Sequence, residues 1–241
     1  MRDVGSSKLL TVALVVVALL ALGRMLGAET SKQMAVVTDS DLGPRRIDYI
    51  GANLARKDLV RENLAQADFT HADLSFADLS RAIITDADFT DADLSRAVMI
   101  RTTATGASFQ HAELDNCQMT RAVFDRVDFT NANLTGAVMI GTNLEGSLFL
   151  GAKIERVALD GAHLRGARLT NASLRRSTLT RADLRGADLT NANLERASLV
   201  GADLTGANLD GANLVGVQLE DVVYDETTIW PSGFDPATIA R

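Results

Sequence analysis

Residues 181–214 repeat one unit of five: a small residue, then Asp or Asn (Ser198 once), then a large apolar residue, then two residues that are polar or small except at Val200. No other feature constrains the chain as much, because neither regular secondary structure tolerates a period of five. On an α-helix at about 100° per residue, five residues carry the apolar position round by roughly 140°, and no stripe forms. On a strand of period two, an odd repeat throws successive apolar residues onto opposite faces. The pattern keeps an apolar interior only if the chain turns a corner once per repeat. That describes a solenoid whose small and large apolar residues point inward while the other three meet water.

The same beat governs most of the chain. Every fifth residue from Leu54 to Leu219 gives 34 centres, and Ala104 is the only one that is not a large apolar residue. Two residues before each centre stands a small one, usually Ala, elsewhere Thr102, Cys117, Val127, Thr142, Ser147, Val157, Ser177 or Val217. The departures are Lys57 and Glu62. A longer beat lies on top. Tyr49, Phe69, Phe89, Phe109, Phe129 and Phe149 are 20 residues apart, as are Met99, Met119 and Met139. Identical rings at a fixed interval stack when successive coils lie about 4.8 Å apart, the spacing of hydrogen-bonded strands. Four repeats therefore make one coil, and the 34 centres make eight to nine coils, a rod on the order of 40 Å long.

The motif, Ala-(Asp/Asn)-Leu with Leu or Phe at its centre, resembles the pentapeptide-repeat family over about residues 49–229. The resemblance implies an all-β fold, a right-handed quadrilateral parallel β-helix with 20 residues per coil. The repeats place that solenoid at residues 47–221. Lys57 and Glu62 interrupt its first coil and suit an open end, where long side chains reach solvent past a short apolar stem. Residues 222–241 are expected to close the other end, since an open apolar bore would meet water. Trp230, the one Trp of the chain, and Phe234 suit that position, and residues 224–236 resemble the terminal segment common in the family.

Residues 1–28 differ from all that follows. Residues 9–23 are free of charge and apolar apart from Thr11, with Arg2 and Lys8 before them and Arg24 after. A basic flank and an apolar run of this length form the pattern of a secretory leader. Residues 9–28 also reach the length of a membrane-anchoring helix if Arg24 snorkels. Both readings, cleaved leader and retained anchor, send the rod across or onto a membrane, so the expected location is membrane-anchored or exported. Residues 29–46 are polar and irregular, carry Gly43-Pro44, and read as a linker.

The chain shows no chemistry-bearing motif: no nucleophile elbow, no paired Cys/His spacing, no phosphate-cradling loop. The glycines after Gly136 fall at repeat corners, where positive φ is useful. Cys117 is the sole cysteine and sits at an inward position as a small hydrophobe. His71, Asp91 and His111 share one corner column, a looser array than zinc requires, and His163 stands apart. The recurrent Asp and Asn residues suit hydrogen bonds to the turns rather than acid–base work. No catalytic, cofactor-binding or metal-binding residue is assigned, and no enzyme activity is expected.

The net charge of −7 argues against a nucleic-acid partner. Residues 64–99 hold seven acidic and two basic side chains, whereas residues 153–185 hold eight basic and three acidic ones. Apolar residues break the outward-polar rule at Ile83, Val98, Ile100, Val123, Val138 and Ile140, on two consecutive sides of the coil, near the corner column Arg81, Arg101 and Arg121. A grouped apolar patch of this kind is the expected contact surface for an unidentified protein partner or a second copy. The leading expectation is a non-catalytic scaffold for protein–protein interaction. The family resemblance implies an alternative, a DNA-mimicking modulator of a type II topoisomerase such as gyrase, which the uneven charge and the leader disfavour.

Overall fold

A computed structural model describes residues 47–238. Every parallel bridge from Asp48↔Asp68 to Asp203↔Val223 joins a residue to the one 20 further on. The sides of the coil are therefore single bridges rather than long strands. They form four columns, here named the Asp48, Asn53, Asp58 and Asn63 sides after their first residues. This is the four-sided parallel solenoid that the aromatic interval implies.

The five backbone N–H groups of one repeat show why the sequence repeats as it does. In residues 72–76, Asp73 N–H donates to Ala52 O of the preceding coil (2.9 Å), while Leu74 and Phe76 N–H donate to Asp93 O and Ser95 O of the next (2.7 and 2.9 Å). Ala72 N–H closes the corner before it on Phe69 O at 2.9 Å. The remaining N–H, that of Ser75, is out of reach of either neighbouring coil and is taken by Asp73 Oδ1 at 2.9 Å. Thr90, Thr130, Thr190 and Thr205 N–H are held by Asp88, Asp128, Asp188 and Asp203 in the same way. Asp or Asn recurs because a buried or half-buried donor needs an acceptor.

Each corner is a four-residue turn whose third residue has positive φ, the type II pattern. Sequence reasoning assigned that conformation to the corner glycines, but among the described residues 22 corner residues other than glycine adopt it too. They include Arg81 (φ 61°), Arg101 (58°) and Arg121 (56°). Such a conformation costs a side-chain-bearing residue on the order of 1 kcal/mol. The stack enforces it, because the corner N–H of Arg81 must meet Ile100 O at 3.0 Å.

The bore is filled by the centres and the small residues, nearly all fully buried. Tyr49, Phe69, Phe89 and Phe109 stack with centroids 4.6–4.8 Å apart and planes within 9°. Phe129 and Phe149 continue the ladder at 5.3 and 5.0 Å. The one undersized centre, Ala104, lies directly beneath Phe124, as the bridge Thr103↔Val123 requires. Phe124 is tilted by 50° against Phe109, at 6.0 Å. The missing volume of one coil is thus offset by an extra ring in the next, as close packing demands.

Polar residues at the small inward positions are paired with backbone. Thr102 and Thr142 hydroxyls donate to Leu79 O and Met119 O at 2.8 and 2.9 Å. Ser147 goes further: its hydroxyl donates to Phe124 O (2.6 Å) and accepts from Val127 N–H (3.2 Å), entering the corner of the coil before it. Ser177 makes the same insertion between Ile154 O and Val157 N–H. At the far end the register slips by one residue, with Asn208 bridged to Ile229. The chain then ends its described course in the short 3-10 helix Pro236–Thr238.

Candidate interaction surface

The apolar residues that break the outward rule converge on one corner. Val98 and Val138 belong to the bridge column of the Asp58 side; Ile83 and Val123 belong to that of the Asn63 side. Ile100 and Ile140 stand at the turn between those two sides, directly beside Arg81, Arg101 and Arg121. Adjacency is fixed by hydrogen bonds from Arg81 N–H to Ile100 O and from Arg121 N–H to Ile140 O, both 3.0 Å. Ile83 and Ile140 are 44% and 43% exposed, Ile100 and Val123 slightly less, and Val98 and Val138 are half-buried. Among the described residues, Arg81, Arg101 and Arg121 make no ion pair.

These substitutions carry a cost within the fold. Where Asp73 holds the N–H two residues on, Val98 and Val138 have no acceptor to offer. The N–H groups of Ile100 and Ile140 find none among the described residues. Restoring Asp or Asn would add a hydrogen bond worth about 0.5–1.5 kcal/mol each.

One surface feature escaped sequence reasoning. Phe76 occupies a corner with φ 59°, is 44% exposed, and lies between the guanidinium carbons of Arg56 and Arg96, at 5.1 and 5.4 Å from the ring centroid. Its only signal in the sequence is an aromatic residue at the fifth repeat position, where charge or glycine is usual. This corner bounds the Asp58 side opposite the Ile100 corner.

The remaining candidates are dispersed. His71 Nδ1 is 3.7 Å from Asp91 Oδ2. Among the described residues no three His, Cys, Asp or Glu side chains gather as a metal set. Cys117 is buried, its thiol donates to Leu94 O at 2.9 Å, and burial pushes its pKa far above the usual thiol range. At the end of the rod, Trp230 packs half-buried against the core, with Tyr224 edge-on at 5.5 Å and Phe234 stacked at 4.9 Å. Tyr224 Oη donates to Pro236 O at 3.2 Å. The apolar run at residues 9–23 lies outside the described residues, within which no helix is long and apolar enough to cross a membrane.

Such a molecule is a parallel β-solenoid of five-residue repeats, whose features lie on its flat sides and corners. A family model described as pentapeptide repeats matches in 8 copies, over residues 50–86, 82–121, 112–151, 158–196 and 187–223. The chain belongs to the pentapeptide-repeat family. Among solved structures, it is similar to HetL, a pentapeptide repeat protein involved in heterocyst differentiation regulation in the cyanobacterium Nostoc sp. strain PCC 7120. That match has 30% identity over 76% of this chain and 87% of HetL, with a TM-score of 0.42. It is also similar in fold to QnrB1, a plasmid-mediated fluoroquinolone resistance protein, at 20% identity over 76% of this chain and 92% of that one, with a TM-score of 0.59. Among curated proteins none matches.

Proposed function

We propose that the protein is a non-catalytic scaffold that docks a protein partner on the corner between its Asp58 and Asn63 sides. The carrying observation is that Val98 and Val138 present apolar surface where Asp or Asn would hold the otherwise unpaired N–H of Ile100 and Ile140. Ile83, Ile100, Val123 and Ile140 extend the patch, and the unpaired Arg81, Arg101 and Arg121 add a cationic rim. An apolar centre with a polar rim is the anatomy of a protein interface. Residues 9–28 deliver the rod to a membrane or beyond it, as anchor or leader.

The test replaces Val98, Val123 and Val138 together by Asn. Because Asn restores the local hydrogen bonds, the variant keeps the fold or melts higher. Association with other proteins, or with itself, should fall at least about tenfold, the effect of losing a buried anchor. A variant that remains folded and retains every association of the parent removes the proposal. Fractionation and the mature N-terminal mass test the location. An untruncated cytosolic chain that inhibits or protects gyrase in a supercoiling assay would replace this reading with the topoisomerase one.

A further inference from the structure

Over three coils, the bridge column of the Asp58 side and the turn column beside it read the same in both directions about Gln118. The bridge column runs Asp78, Val98, Gln118, Val138, Ala158 in successive coils. The turn column beside it runs Ser80, Ile100, Thr120, Ile140, Asp160 at the same interval. We propose that this side pairs with the same side of a second copy, antiparallel, on a two-fold axis through Gln118. The proposal rests on the contact reading above and names its partner.

A dyad lying in the interface across the rod sends each coil to its mirror coil while keeping each edge on its own edge. Val98 then faces Val138 of the other copy, Ile100 faces Ile140, and Gln118 meets Gln118, whose amide can both donate and accept. At the next coil out, the Asp78 carboxylate lies against the edge carrying Arg156, and Arg81 lies against Asp160. Neither Arg81 nor Arg156 has an ion-pair partner among the described residues.

The rims fit the same operation. Arg101 falls opposite Gly141, Arg81 opposite Gly161, and on the far edge Arg96 falls opposite Gly136, each glycine a corner of the same column. Long cationic side chains therefore meet residues with no side chain. On the axis coil the charged residues Asp115 and Arg121 each meet their own copy, at opposite edges, and at the exposed Arg121 corner both guanidiniums can turn to solvent. One coil further out, Arg56 meets Arg176 and Arg61 meets Arg181, so the pairing is confined to the middle five coils. A parallel pairing would set the two arginine edges against each other.

Five coils at about 4.8 Å on a side roughly 15 Å wide bury roughly 360 Å² per copy. That is below the roughly 800 Å² per partner of a standard stable interface, so the pair is concentration-dependent.

The test uses the full chain with Gln118→Cys and a short bis-maleimide. Cys117 is buried and does not compete. Gln118→Cys should give a covalent dimer, whereas Ser198→Cys, four coils from the axis and about 38 Å from its mate, should not. In the Gln118→Cys background, Asp78→Arg and Arg156→Asp should each reduce cross-linking about tenfold, and their combination should restore it to within about threefold. All are outward positions, and circular dichroism checks the fold. Equal cross-linking at Ser198→Cys, failure of the combined reversal to rescue, or a monomer by sedimentation at about 100 µM overturns the pairing. A monomeric parent whose other partners are lost in the Asn triple variant overturns the pairing but leaves the contact surface standing. A dimer that the triple variant does not weaken overturns both.

Discussion

Phe109 is a rung of the aromatic ladder with three ring neighbours, and truncating it tests whether the stack is an energetic spine. It is fully buried, parallel to Phe89 at 4.7 Å and Phe129 at 5.3 Å, and tilted against Phe124 at 6.0 Å. Phe109→Ala withdraws about 150 Å² of apolar surface, worth ~4 kcal/mol at about 25 cal/mol/Å². Losing two near-parallel ring pairs adds about 1 kcal/mol. The backbone around the site is bridged above and below, which limits collapse into the cavity. The expected cost is therefore about 4–5 kcal/mol, the upper end for such truncations. Phe109→Leu is the control, since Leu169, Leu189 and Leu209 hold the same column fully buried; it should cost about 1.5 kcal/mol.

Urea unfolding followed by circular dichroism gives the total, and hydrogen exchange at residues 100–130 shows whether the loss is local. Exchange is needed because solenoids unfold by neighbouring units and depart from two-state behaviour. If Phe109→Ala costs no more than Phe109→Leu, the cavity argument is wrong.

Other outcomes follow from the same packing. Ala104→Leu installs the residue usual at a repeat centre, yet should destabilise by about 1–3 kcal/mol because Phe124 already occupies the space; adding Phe124→Leu should recover most of it in the same urea titration. Ser147→Val leaves Val127 N–H and Phe124 O without the hydroxyl that joins them, and a loss of about 2–3 kcal/mol is expected in thermal melts. Gly161→Ala meets no atom within 4 Å at φ 63°, so its cost of about 1 kcal/mol reports backbone strain alone, and Gly161→Asn should cost less. Hydrogen bonds from Arg185 hold the Asp183 carboxyl below the usual carboxylate range. A depressed folded pKa adds stability above that range and loses it as pH falls through the folded value. Arg185→Ala should raise the Asp183 pKa toward about 3.9 by NMR titration and close the stability gap to the parent below about pH 4.

Most of the fold was legible because a solenoid converts sequence interval directly into position. The five-residue beat gave the corner, and the interval from Phe69 to Phe89 gave the coil, since only equal turns bring identical rings into a stack. The apolar patch was legible for the same reason: Val98 and Val138 differ by whole coils. Phe76 was not, because its meaning depends on Arg56 and Arg96 lying over its two faces, and those contacts are made between coils.

The sequence alone determined the period, the inward and outward sets, and hence the core, because burial follows from side-chain polarity once the chain turns at every repeat. Tertiary structure decided what local residue types do not encode. It imposed positive φ on Arg81, Arg101 and Arg121, because a corner N–H must reach a carbonyl of the next coil whatever side chain it carries. It inserted Ser147 into the corner before it and tilted Phe124 over Ala104. Each of these depends on which residue stands about 4.8 Å away in the neighbouring coil, a distance that the order of residues within one repeat does not specify.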